Sequence, residues 1–326
     1  MKYIRFICLL YLPFLMACQQ GNQGEVPVVG FVEAFEDATI TQAKTGFLDA
    51  LSDQGYSEEA GTLSVLERNA QGDIPMLNQI VHYFVSSDVD LIGSSTTLAS
   101  IASVQRNTEI PVFMSVSSMP DIIGLSDASG NPPANLFGVG ERLDYIDTAF
   151  RLIPQTLSEQ ISDRKIRIGM IYNQSEPQSV DAYKRIEALA ADLQVELVAL
   201  PLNTTAEAQI VTRALLDQNI DAFFANPDNT VFAAFETILK NCSLMDVPIF
   251  TSEAGLVERG ALAAFGADIY AWGYQSGLQA AAYLKDKNTE LGIQMVEKRI
   301  RVYNPQAART FGFLFSDAFN SIDDIK

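Results

Sequence analysis

The residues best suited to chemistry lie in the stretch Ile168–Ser179, which reads IGMIYNQSEPQS. An apolar run from Ile168 to Tyr172 ends in small polar residues, and Pro177 then opens an amphipathic run from about Ser179. The spacing predicts a buried parallel strand, a polar turn and a helix start, with Ser175 or Ser179 as N-cap. In open α/β sheets ligands sit at such strand ends, where loop side chains and free helix N–H groups converge. This turn offers the amide of Asn173, several hydroxyls and the carboxylate of Glu176, with no nucleophile beside a base. It reads as a loop that holds a ligand and does not transform it.

Similar polar clusters close other apolar runs: Ser94-Ser95-Thr96-Thr97, Ser117-Ser118, Asn226-Pro227-Asp228-Asn229-Thr230 and Ser252-Glu253. Each can also be a solvated turn that caps the next helix. His82, the one histidine, falls inside a predicted helix and reads as a surface or half-buried residue. Cys242 is the only cysteine outside the first 18 residues, so it has no intramolecular disulfide partner and reads as a small core residue. Zinc sites built from His and Cys, and most nucleophile–histidine pairs, are thereby excluded. Asp88 and Asp90, like Asp323 and Asp324, read as solvated turns. No GxGxxG follows a strand, and there is neither a Walker A sequence nor a nucleophile elbow. No cofactor or metal is expected.

Positioning these clusters takes a repeated strand–helix pattern. Val26–Val32, Leu63–Arg68, Asp90–Gly93 and Pro111–Val116 read as strands with helices between them, the first spanning Thr39–Gln54. After a turn-rich stretch at Ser126–Asn135 the chain leaves this lobe near Gly138–Gly140, and the pattern restarts with a helix from Tyr145. Strands at Arg167–Tyr172, Glu196–Pro201, Asp221–Ala225 and Pro248–Thr251 follow, and a helix at Trp272–Lys285 returns to the first lobe. The fold class expected is α/β, with two doubly wound parallel-sheet lobes joined by a hinge. The lobes are placed at 26–140, with a return segment of about 268–300, and at 141–267 with about 301–326. Polar turns from both would face one cleft.

The N-terminus carries a different signal. Lys2 and Arg5 precede an apolar run, Phe6 to Ala17, that ends in Leu15-Met16-Ala17-Cys18. This reads as a bacterial secretion signal over 1–17 whose last four residues resemble a lipobox, with Cys18 lipidated and 18–25 a tether. An uncleaved anchor or an ordinary signal peptide are the alternatives, and the run is short for a membrane span. The 326 residues carry 22 basic and 40 acidic side chains, a formal charge of −18. Such a surface repels phosphate backbones, and nucleic acid is not an expected partner.

Four segments together resemble one family. Asn69-Ala70-Gln71-Gly72-Asp73, Tyr172–Ser179, Asp228-Asn229-Thr230-Val231 and Arg259-Gly260-Ala261-Leu262-Ala263 are similar, in order and spacing, to the ABC transporter substrate-binding lipoproteins that include tryptophan- and tyrosine-binding members. The likeness covers about Val28 to Gly312. It implies a type I periplasmic-binding-protein fold that closes on an aromatic or apolar amino acid. On that reading Ser95, Thr96 and Ser117 would bind the ligand carboxylate, and Asp228 and Glu253 its ammonium. Asn173 and Asn229 would orient either end, with Tyr172 and Glu176 in the same loop. Phe31, Phe35, Tyr172 and Tyr270 are candidates for an apolar wall. The chain departs from the family where Glu36-Asp37-Ala38 replaces Glu-His-Pro, and where Ser117-Ser118-Met119-Pro120 stands for Thr-Asp-Pro. Implied partners are a small solute, an ABC permease with its ATPase, and a membrane reached through the lipid anchor, for an extracytoplasmic monomer. A sensory lipoprotein without a transporter, or an α/β enzyme with an unrecognised site, are the competing readings.

Overall fold

The computed structural model describes residues 26–324; the expected signal sequence, Cys18 and the tether lie outside the described residues. The first half of the chain runs β1 (Val28–Glu33), α1 (Ala38–Asp53), β2 (Ser64–Asn69), α2 (Ile74–Ser86), β3 (Leu91–Ser95), α3 (Thr97–Gln105), β4 (Val112–Ser118) and β5 (Leu136–Glu141). The second begins α4 (Tyr145–Leu157), β6 (Arg167–Tyr172), α5 (Pro177–Asp192), β7 (Glu196–Pro201), α6 (Ala208–Leu216) and β8 (Ala222–Ala225). It continues α7 (Asn229–Ala233), α8 (Phe235–Leu244), β9 (Ile249–Thr251), α9 (Ala254–Glu258) and β10 (Ala263–Ala267). The last stretch is α10 (Ile269–Lys285), β11 (Ile293–Met295), β12 (Arg299–Tyr303), α11 (Pro305–Phe311) and β13 (Asn320–Ser321).

These strands form two sheets, one per lobe. The first has the order β11-β5-β4-β3-β1-β2 and the second β13-β12-β10-β9-β8-β6-β7. All pairings are parallel except β10 with β12. Parallel neighbours need long crossovers, and the helices that supply them cover both faces, which is why β3 and β8 are buried at every position. In the first lobe Leu77, Phe84 and Val112 fill one side and Phe31, Phe47 and Phe113 the other. The second lobe is filled in the same way around Phe223 and Phe235 on one side and Phe150 and Phe224 on the other. Cys242 is buried among the former group.

The chain passes between lobes after β5, between β10 and α10, and between β11 and β12, which makes the hinge. Helix α10 is fixed to the first lobe by backbone contact with α1. A Cβ on Gly273 would lie 1.8 Å from the carbonyl oxygen of Ala43, and one on Gly46 would lie 2.1 Å from that of Tyr270. No side chain fits at either place. Some elements differ from the sequence reading. Helix α10 starts at Ile269 because Asp268 accepts the N–H of Ala271 and caps it. After Asp228 the chain forms two short helices, α7 and α8, that meet at Ala234. Strand β5, with Gly138 at φ +102°, and the short strands from β10 onward lack the long apolar run that marks the others. Among the described residues no helix is long and apolar enough to cross a membrane.

Candidate functional site

Every polar cluster singled out above lies at the C-terminal end of a sheet strand, and these ends face each other across the interlobe cleft. The cleft holds two cavities. The inner one, about 40 Å³, is walled by Thr97, Val116, Ser117, Ser118, Glu141, Leu143, Tyr145, Gln178, Asp228, Asn229, Phe232, Glu253 and Trp272. The outer one, about 610 Å³, has Phe35, Gln71, Ile74 and Leu98 from the first lobe and Asn173, Ser175, Glu176, Asn203, Thr204 and Thr230 from the second.

The first lobe approaches the inner cavity with a strained backbone. Thr96 has φ +93° and caps α3, its hydroxyl accepting from the Ala99 N–H at 3.4 Å. The pairing of β4 with β5 slips between Met114 and Ser117, where Val116 has φ +49°. Left-handed backbone costs a non-glycine residue about 1–3 kcal/mol, a cost found where packing fixes a functional loop. Here it brings Val116, Ser117 and Ser118 to the cavity wall. Ser95 and Thr96, expected from sequence to bind ligand, are fully buried and line neither cavity, and the Ser95 hydroxyl has no hydrogen-bond partner.

The second lobe contributes a buried polar wall. Glu176 accepts from Asn229 Nδ2 at 2.8 Å, Thr230 Oγ1 at 2.8 Å, the Asn229 N–H at 3.2 Å and Asn173 Nδ2 at 3.3 Å, besides Gln178 Nε2. Asp228 accepts from the N–H groups of Asn173 at 2.7 Å and Val231 at 2.8 Å, and from the Ser179 hydroxyl. Both acids are thus engaged from within their own lobe. Burial, and then the Glu176 charge, push the Asp228 carboxyl above its ordinary value. Asn173, Glu176 and Thr230 face the outer cavity while Gln178, Asp228 and Asn229 face the inner one, so this network is the partition between them.

Two buried oxygens on the inner cavity lack partners. Glu253 Oε1 accepts from the Tyr145 hydroxyl at 3.0 Å and from Ser252 Oγ at 3.3 Å, but buried Oε2 has no partner. Gln178 gives its amide N–H to Glu176, which fixes the amide orientation and leaves Oε1 buried without a donor. Burial raises Glu253 to about 8, against the lowering effect of Tyr145 and Ser252. It raises Glu141 to about 7, although the Arg299 guanidinium donates to that carboxylate. Buried acceptors without donors are costly and uncommon. Two such oxygens lie on one small cavity, with Glu141, Asp228 and Glu253 in its wall and no lysine or arginine among its lining residues.

Of the residues expected from sequence, Ser117, Asp228, Asn229 and Glu253 line the inner cavity and Asn173 and Glu176 the outer. Tyr172 lines neither; its ring stacks on Tyr183 with centroids 4.5 Å apart. Phe35 borders the outer cavity, Phe31 is a core residue edge-on to Phe47, and Tyr270 donates to Asp49 on α1. Sequence reasoning passed over Glu141, Tyr145, Gln178 and Phe232. Glu141 is the last residue of β5, but the glycines of β5 hid that strand. Trp272 lines the inner cavity and donates its indole N–H to the Val139 carbonyl at 2.8 Å. In the turn after β2, Asn69 braces the loop after β1 by donating to the Phe35 carbonyl, and Gln71 and Gly72 border the outer cavity. His82 is exposed on α2. Among the described residues no group of three or more His, Cys, Asp or Glu is placed to hold a metal ion.

Comparison with known proteins gives a consistent result. A family model described as ABC transporter substrate binding protein matches residues 25–322. A tyrosine-binding protein of Clostridioides difficile (strain R20291) is 29% identical over 260 residues, 80% of this chain and 73% of that protein. The crystal structure of a conserved domain protein from Vibrio cholerae O1 biovar El Tor superposes with a TM-score of 0.80 at 26% identity, covering 91% of this chain and 99% of that one. The structure of an ABC domain in complex with L-Trp, from Streptococcus pneumonia, also gives 0.80, at 20% identity over 90% and 96% of the two chains. At that identity the last likeness bears on the fold alone.

Proposed function

Because this chain belongs to the ABC transporter substrate binding protein family, we propose that its cleft captures an amino acid with an aromatic side chain, tyrosine first among the candidates. Proteins of this family and fold are non-catalytic, extracytoplasmic solute receptors, and membership implies a small-molecule ligand and a cognate permease and ATPase. The observation that carries the ligand class is the pair of unpartnered acceptors, Glu253 Oε2 and Gln178 Oε1, in an inner cavity with three carboxylates. An α-ammonium supplies three N–H donors and a positive charge beside Glu253. The ligand carboxylate then turns to the other lobe, toward the Ser117 hydroxyl and the N-terminal end of α3, whose Thr97 lines the cavity. Contact with both lobes is what lets a ligand favour closure.

The inner cavity takes a charged head group but not a ring, so the side chain extends toward the outer cavity as the lobes part and reclose. Phe35, Ile74 and Leu98 provide an apolar wall there, and Asn173, Asn203, Thr204 and Thr230 provide partners for a phenolic hydroxyl. The tyrosine-binding relative supports this choice. Delivery to a permease, with the chain tethered through a lipid on Cys18, is the role proposed for the loaded receptor. The test is a thermal-shift series with tyrosine, tryptophan, phenylalanine, other amino acids, nucleosides and sugars, since a ligand of the native state raises Tm by mass action. A rise with aromatic amino acids, largest for tyrosine, is the expected result. A rise only with sugars or nucleosides would overturn the ligand assignment.

A further inference from the structure

We propose that Arg259 and Asp37 form a latch across the cleft that sets how firmly the lobes close, and hence the affinity for ligand, without touching the ligand. Neither residue lines either cavity. Asp37 stands before α1 in the first lobe and Arg259 follows α9 in the second. Arg259 Nη1 lies 2.6 Å from Asp37 Oδ2 and donates also to Thr39 Oγ1 at 3.2 Å. The Asp37 side chain is 1% exposed and that of Arg259 15%, so the pair is largely withdrawn from water.

The rest of each residue's bonding stays inside its own lobe. Asp37 Oδ1 accepts from the N–H groups of Thr39 and Ile40 and caps α1. Arg259 donates to both oxygens of Glu236 at 2.9 Å and to the Phe232 carbonyl at 3.1 Å, over the Phe235 ring. When the lobes part, water reaches Asp37 and Arg259 while each keeps these partners, so opening leaves no charge buried alone. The bond can therefore break and re-form with hinge motion. Two further contacts mark the same place as a close-fitting junction. Ile40, on α1 of the first lobe, packs into the apolar cluster of the second. Gly255 on α9 abuts Thr39, where an added Cβ would lie 2.4 Å from Thr39 Cγ2.

A conformational equilibrium enters affinity directly, because apparent Kd is the intrinsic value divided by the competent fraction. Asp37→Asn keeps a good N-cap residue and removes the charge. Gly255→Ala changes no charge and puts a methyl group between the lobes, at a helical position that favours alanine. Distances between nitroxide labels on His82→Cys (α2) and Ala188→Cys (α5), measured on ligand-free protein, report closure without needing to know the ligand. This separates failure of the latch from failure of the ligand assignment. Wild type should show a populated short distance. Both variants should stay folded and lower the closed-to-open ratio about tenfold, with L-tyrosine affinity falling by a similar factor and saturating tyrosine restoring the short distance. A ligand-free distribution unchanged in Asp37→Asn overturns the latch, whatever Gly255→Ala does, and so does a wild type that is wholly open.

Discussion

At the scale of single residues, the cleft is a place where carboxylates are held back from ionising. Glu253 is raised from 4.5 to about 8 and Glu141 from 4.5 to about 7, burial being the largest cause for each. A carboxyl raised in the folded state makes that state bind more protons than the unfolded chain. Its contribution to stability is complete below about 4.5 and is lost as pH rises through 7 for Glu141 and 8 for Glu253. Ligand-free protein should therefore melt higher at about pH 6 than at about pH 8.5, as followed by calorimetry, and Glu253→Gln should flatten that slope. An ammonium beside Glu253 favours the ionised form, so binding should release protons near neutral pH. Titrations in buffers of different ionisation enthalpy would measure this, and equal apparent heats in all of them would contradict it. Glu253→Gln should also weaken tyrosine binding by about 2–5 kcal/mol, the usual cost of deleting one member of a buried charged contact.

At the scale of elements, strand ends and helix starts do the positioning, and the same groups hold the fold. Asp228 accepts the N–H groups of Val231 and Asn173, so truncation leaves buried donors unmatched as well as altering the cavity. Asp228→Ala should cost about 2–4 kcal/mol in denaturant unfolding, and Asp228→Asn distinctly less. The tightest joint is α1 against α10. Gly273→Ala places a methyl carbon within 1.8 Å of the Ala43 oxygen and should destabilise the first lobe by about 3 kcal/mol or more. Much at this scale is legible in the sequence, since strands such as β6 and β8 are continuous apolar runs ending in polar clusters. Strand β5 is less so, because Gly138 and Gly140 break the run. Glu141 went unnoticed with it.

At the scale of the molecule, two parallel-sheet lobes and a hinge make a receptor whose ligand must contact both sides. This architecture was readable from the alternation of strand and helix, which the pairing of each sheet repeats. Contacts between lobes were not readable. Arg259 and Asp37 are 222 residues apart in sequence, and nothing local marks either as a partner of the other. Tyr172 shows the converse: its place in a ligand-holding loop suggested a wall residue, yet strand alternation turns its ring onto Tyr183. Partner choice across a cleft depends on the closed geometry, which local pattern does not encode.

The most direct test compares L-tyrosine with 3-(4-hydroxyphenyl)propionate, which keeps the ring, hydroxyl and carboxylate and lacks the amine, by calorimetric titration of the purified protein. Saturable binding of tyrosine, weakened at least a hundredfold in the deaminated compound, is expected if Glu253 and Gln178 receive an ammonium. Equal binding of the two compounds would contradict an inner cavity built for an α-ammonium, and binding of neither would contradict tyrosine as the ligand.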